Sequence, residues 1–114
     1  MVIQRGDIWW VGLRAPRGSE PGYRRPVLVV QADGFNRSGI QTVLVAAISS
    51  NLRLAAAPGN VRLARRQSGL SKNSVVNSSQ LLTLDKGFFT KRIGRLPSSV
   101  MEEVEAGLRL VLSL

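Results

Sequence analysis

Apolar and polar positions along this chain fall into short strand-like runs divided by polar, Gly- and Pro-bearing stretches, with one helical stretch at the end. Arg5 to Leu13 (R-G-D-I-W-W-V-G-L) predicts a first strand. Alternation places Ile8, Trp10 and Gly12 on one face and Trp9, Val11 and Leu13 on the other, so the adjacent tryptophans cannot share a face. One is expected in the core, the other under a loop or at an interface, where a base could stack on it. Arg14 to Arg25 predicts a long loop carrying Pro16, Gly18, Pro21 and Gly22. Pro26 fixes its own φ and biases Arg25 towards extended geometry. The following run, Val27 to Val30, is apolar at every position and predicts a strand covered on both faces, reaching Gln31. Arg24 and Arg25 are thereby expected where a loop meets the foot of a rigid strand.

A third strand over Thr42–Ser49 is again apolar on both faces and ends on the Ser49 hydroxyl. Asn60–Leu63 predicts a short strand, Ser74–Thr83 a longer one broken near Asn77–Ser79, and Lys91–Leu96 the last. Turns are expected over Ala32–Gln41, Arg65–Gly69 and Asp85–Gly87. Leu52–Ala57 has helical propensity that Pro58-Gly59 cuts short. Beyond Pro97 the period changes: Met101, Val104, Leu108, Val111 and Leu112 recur at helical spacing, and Ser99 with Glu102 reads as a capping box. The pattern describes one mainly β domain over residues 1–114, a small curled β-barrel or β-sandwich with a C-terminal α-helix.

Charge adds a partner. Lys and Arg total 16 against 7 acids, a net charge of +9. From Ser99 onwards one base faces three acids, net −2, which leaves +11 on residues 1–98. Thirteen of the sixteen bases are Arg, whose planar guanidinium pairs bidentately with phosphate. The expected partner is a nucleic acid. No apolar run is long enough to span a bilayer and no signal peptide is evident, so a cytoplasmic protein with no membrane partner is expected.

Candidate chemistry is narrowed by what is missing. There is no Cys and no His, which removes disulfides, thiol catalysis, the usual general base and the commonest metal ligands. Outside the terminal helix the acids are Asp7, Glu20, Asp33 and Asp85, without the spacing of a carboxylate pair or a metal clamp. No cofactor and no metal is expected. RNA cleavage tolerates so poor a set, because the substrate's own 2′-OH can attack the adjacent phosphate. The protein must then orient the strand and stabilise the added negative charge, which Arg25 can do.

The ordered motifs R-G-D-I-W, G-S-E-x-G-x-x-R-P-V-L-V-V-Q, V-A-A-I-S, S-V-V-N-S-S-Q-L and T-L-D-K, followed by the helix, resemble the MazF/PemK/Kid family of toxin endoribonucleases over almost the whole length. The resemblance implies an SH3-like β-barrel that forms a homodimer, cleaves single-stranded RNA at short sequences without a metal, and is silenced by a cognate antitoxin with an acidic, disordered segment. It implies that Arg25 is the catalytic arginine. Ser49 falls where the family usually carries a catalytic threonine, a departure that keeps the hydroxyl. Ser19 and Gln80 fall at positions similar to the family's RNA contacts, and Arg24 is read as an accessory RNA-binding residue. Two alternatives are a non-catalytic basic RNA-binding module and a gyrase-poisoning toxin of the CcdB type. The latter acts through a terminal Trp-Gly-Ile, where this sequence has Leu112-Ser113-Leu114.

Overall fold

A computed structural model describes residues 1–14 and 23–114, and for Leu13, Arg14 and Tyr23 the backbone alone. Six strands form one antiparallel sheet: β1 (Asp7–Arg14), β2 (Tyr23–Val29), β3 (Thr42–Ser49), β4 (Val61–Leu63), β5 (Ser74–Asp85) and β6 (Phe89–Arg95). Their order across the sheet is β4-β5-β3-β2-β1-β6. Two single-turn helices, α1 (Asp33–Asn36) and α2 (Arg65–Ser68), and a 3₁₀ turn over Leu52–Ala56 occupy connections. The long helix α3 (Ser98–Leu112) follows β6.

The sheet is curled, and alternation sorts its side chains into two clusters. Ile8, Leu28, Val30, Ala46, Ile48 and Val76 pack with Val100, Met101 and Val104 of α3. Trp9, Val11, Val27, Val29, Val43 and Val45 pack on the opposite face with Ile3, Leu84 and Phe89. The apolar run in β2 is thus buried on both sides. Trp9 meets Phe89 edge-on at 5.8 Å between centroids, while half-buried Trp10 lies on the α3 side.

Curling brings the far ends of the sheet together without a ladder. Gly69, just beyond α2, sits against β6: a Cβ there would lie 3.2 Å from the Ile93 carbonyl oxygen. A Cβ on Gly94 would approach Ser68 O to 3.1 Å. Gly69 also has φ +80, a conformation glycine adopts at little cost. Together these features give the SH3-like half-barrel with a C-terminal helix.

Several boundaries differ from the pattern in the sequence. β2 begins at Tyr23, so Arg24 and Arg25 lie within a strand, opposite Gly12 and Val11. Pro26 is tolerated because the β2–β3 ladder begins only at Val27, leaving it paired with Trp10 alone. Helix α3 starts at Ser98, with Pro97 (φ −58) at the N-cap and no side-chain cap, so Ser99 does not form the capping box. The Pro97 carbonyl instead accepts from the Val100 and Met101 amides, both at 3.0 Å. The expected break in β5 is present: Asn77 faces Ala47 and Leu81 faces Ala46, leaving Ser78–Gln80 without β3 partners. There Asn60 Oδ1 accepts from the Ser78 amide at 2.9 Å, and Ser78 Oγ donates to Gly59 O at 2.7 Å.

Candidate active site

The cleft lies where β2 and β3 end together. Val27 pairs with Ala47, and continuing that antiparallel ladder by two residues brings Arg25 across from Ser49. Both line one open cleft of about 400 Å³. Trp10, Pro26, Ile48 and Leu70 supply its apolar surface, and Ser50, Ser71, Lys72 and Ser74 complete the polar rim. Among the described residues no carboxylate lines it, and nowhere do three acids cluster as a metal site would require.

The Ser49 hydroxyl is held from behind. Ser49 Oγ accepts from the Asn51 amide at 3.1 Å, and Asn51 Oδ1 accepts from the Arg53 amide at 3.2 Å, which caps the 3₁₀ turn. With a lone pair so engaged, the Ser49 proton stays available as a donor. Half-buried Arg25 projects from a strand paired with β1, so its backbone is fixed by the sheet. Exposed Arg24 lays its guanidinium over the Trp10 ring, 5.1 Å from the centroid.

The residues singled out in the sequence divide. Arg25 and Ser49 converge on the cleft, and Arg24 flanks it through Trp10. Gln80 is exposed on the unpaired stretch of β5 and does not line the cleft. Ser19 lies outside the described residues. Leu70, Ser71 and Lys72 were not singled out; they come from an irregular connection that carries no periodicity, and its Gly69 was the one local signal.

The R-G-D-I-W motif serves the scaffold. Asp7 is fully buried; its Oδ2 accepts from the Gln4 amide at 3.0 Å and from Trp9 Nε1 at 3.4 Å. Arg92 Nε lies 3.3 Å from Asp7 Oδ1, giving the carboxylate its counter-ion. Asp7 therefore locks the N-terminal turn, Trp9 and β6 together.

A small curled sheet packed on one long helix thus presents a cationic cleft with no carboxylate among its described lining residues. The chain belongs to the PemK-like, MazF-like toxins of type II toxin–antitoxin systems, whose family model matches residues 4–112. It is 50% identical over 114 residues to Endoribonuclease MazF6 of Mycobacterium tuberculosis (strain ATCC 25618 / H37Rv), covering 100% of both chains. It is 36% identical to Endoribonuclease EndoA of Bacillus subtilis (strain 168), covering 100% of this chain and 97% of that protein. In fold it is similar to the MazE–MazF crystal structure (Form-II) from Deinococcus radiodurans, with TM-score 0.81 and 24% identity over 100% of this chain and 98% of that one. It is also similar to a mycobacterial endoribonuclease in complex with its cognate antitoxin, with TM-score 0.78 and 21% identity over 98% and 96% of the two chains.

Proposed function

We propose that this chain is an endoribonuclease toxin that cleaves single-stranded RNA at short sequences by 2′-OH attack, with Arg25 and Ser49 as its catalytic residues. The convergence of the Arg25 guanidinium and the Ser49 hydroxyl on one cleft, with no carboxylate among its described lining residues, carries the reading. The 2′ oxygen bonds to the adjacent phosphorus, its proton passes to solvent through the open cleft, and the P–O5′ bond breaks. The 5′ oxygen takes up a proton, leaving a 2′,3′-cyclic phosphate and a 5′-hydroxyl. Arg25 offers planar donors to the non-bridging oxygens as charge builds in the pentacoordinate transition state. Ser49 donates its free proton to one of the same oxygens. Trp10 offers a face on which a base stacks, with Arg24 holding the indole from one side. Ser19 and Gln80 are assigned to RNA contacts outside this centre.

Membership of a type II toxin family supports regulation by a cognate antitoxin; on this reading an acidic, disordered antitoxin segment orders over the basic groove and competes with RNA. The protein acts as a homodimer, which doubles the groove, and it works in the cytoplasm where its substrate is. Among the described residues no helix is long and apolar enough to cross a membrane. The deciding experiment incubates purified protein with a long RNA in EDTA and maps the fragment ends. Recurrent cuts bearing 5′-hydroxyls are expected. Intact RNA would leave only a binding module, and cleavage that returns only with magnesium would refute the mechanism.

A further inference from the structure

We propose that the cleft continues into a second phosphate subsite, in which Lys72 and Arg65 hold the RNA backbone beside the scissile phosphate; this rests on the RNA-cleaving reading above. The concavity does not end at Ser49. A neighbouring hollow of about 490 Å³, bounded by Leu52, Arg65 and Asn73, shares Ser50, Ser71 and Lys72 with the first. One trough therefore runs from Arg25 to Arg65. A single strand held at the Arg25–Ser49 centre must leave it at both ends, and this trough is one way out.

The trough wall is tied down. Asn73 Oδ1 accepts from the Arg65 amide at 3.1 Å, which links the start of α2 to the loop carrying Lys72. Ser74 Oγ donates to the Lys72 carbonyl at 3.1 Å, which links that loop to β5. The two cations are not spent on the fold. Ion pairs among the described residues are Arg5–Glu105 and Arg92–Asp7, and neither Lys72 nor Arg65 has a carboxylate partner there. Among the described residues no acid lines the hollow, and both side chains are exposed. Cations without counter-ions in a polar trough set up a potential that attracts phosphate. Lys72 is a mobile point charge at the junction of the two hollows, and Arg65 a planar fork at the far end. Leu52, 39% exposed, lines the same hollow and offers an apolar surface to a ribose or base.

The test compares the wild-type protein with the Lys72→Gln/Arg65→Gln double variant. Steady-state cleavage is measured on an oligonucleotide carrying a mapped site and on two series shortened from either end. Binding is measured against salt with an uncleavable analogue, 2′-deoxy at the scissile nucleotide. The variant should raise KM several-fold with kcat retained. Its defect should vanish at one step of one shortened series, when the flanking phosphate is removed. The slope of log affinity against log salt should fall by about 0.7 per cation lost, about 1.4 for the pair. Lys72→Arg/Arg65→Lys should restore most of that slope. An unchanged slope, a fall in kcat at constant KM, or a defect persisting to the dinucleotide would overturn the subsite. So would weakened binding of poly-glutamate with RNA binding intact, which would make the trough a site for an acidic peptide. If the wild type cleaves no RNA, the enzymatic reading fails, and the salt slope with the uncleavable strand still decides the subsite.

Discussion

Arg24 and Trp10 form a stacked pair across β1 and β2, the guanidinium 5.1 Å from the indole centroid, at the edge of the cleft that holds Arg25. Trp9, one residue away, faces the opposite cluster and is 6% exposed. Neighbouring tryptophans should therefore fail in different ways. Trp10→Ala should weaken RNA binding by about 1–3 kcal/mol, the value of one lost base stack, with a smaller loss of stability. Arg24→Ala should weaken binding less and flatten its salt dependence. Trp9→Ala should cost about 3–5 kcal/mol of stability, as large buried aromatics do. Thermal midpoints and RNA titrations of the three variants check this; an unchanged RNA affinity for Trp10→Ala would remove the stacking role.

The α3 helix meets the loop before β4 through glycine. A Cβ on Gly107 would overlap the Gly59 carbonyl, whose carbon would lie 2.9 Å away, and would reach Ser78 Oγ at 3.0 Å. Ser78 Oγ donates to that same carbonyl. Gly107→Ala should therefore destabilise by about 1–3 kcal/mol through overpacking, despite alanine's better helix propensity. Urea unfolding measures it. A stabilised variant would show that helix and loop can separate freely.

Asp33 gives the fold a predictable acid response. The Arg5 amide donates to Asp33 Oδ1 at 2.8 Å and Asn36 Nδ2 to the same oxygen at 3.1 Å, and these bonds hold its carboxyl below the ordinary 3.8. A depressed folded-state pKa favours the folded form wherever the carboxylate is ionised. That contribution is complete above 3.8 and is lost as pH falls through the folded value. Asp33→Asn should be less stable than wild type at neutral pH, with the gap closing in stronger acid. A gap that widens on acidification would reverse the assignment.

The sequence was legible where burial is strong on both faces. Thr42–Ser49 is β3 to the residue, and the Val27–Val30 run is buried from both sides as its lack of alternation implies. The break in β5 was visible because Asn77-Ser78-Ser79 interrupts an apolar pattern, and Ser78 turns out to satisfy itself on Gly59 and Asn60. Less was legible where tertiary pairing overrides local character. Tyr23-Arg24-Arg25-Pro26 has no strand pattern and becomes strand because β1 pairs with it. Half of the candidate site shows the same limit. Ser49 ends a readable strand and Arg25 stands just before one, whereas Lys72 and Ser71 reach the cleft through a connection with no period of its own.

Arg25 and Ser49 are assigned unequal shares of the chemistry. Removing a preorganised donor to a developing oxyanion costs on the order of 10²–10³ in rate, so Arg25→Ala should nearly abolish cleavage. Arg25→Lys should recover little, because an ammonium cannot copy the planar two-pronged contact. Pairing with β1 does not depend on the guanidinium, so far-ultraviolet circular dichroism of both variants should match wild type. Ser49→Ala should slow cleavage less, since it removes one neutral donor. Asn51's amide then loses its acceptor at an exposed position, where water can replace it at little cost in stability. Ser49→Thr should be tolerated, because the hydroxyl is kept and Ser49 is only half-buried. Single-turnover cleavage of a defined oligonucleotide, with the products resolved as 2′,3′-cyclic phosphate and 5′-hydroxyl ends, measures all four. Wild-type rates for Arg25→Ala would move the charge-stabilising role elsewhere, and a 5′-phosphate product would make water the nucleophile in place of the 2′-OH.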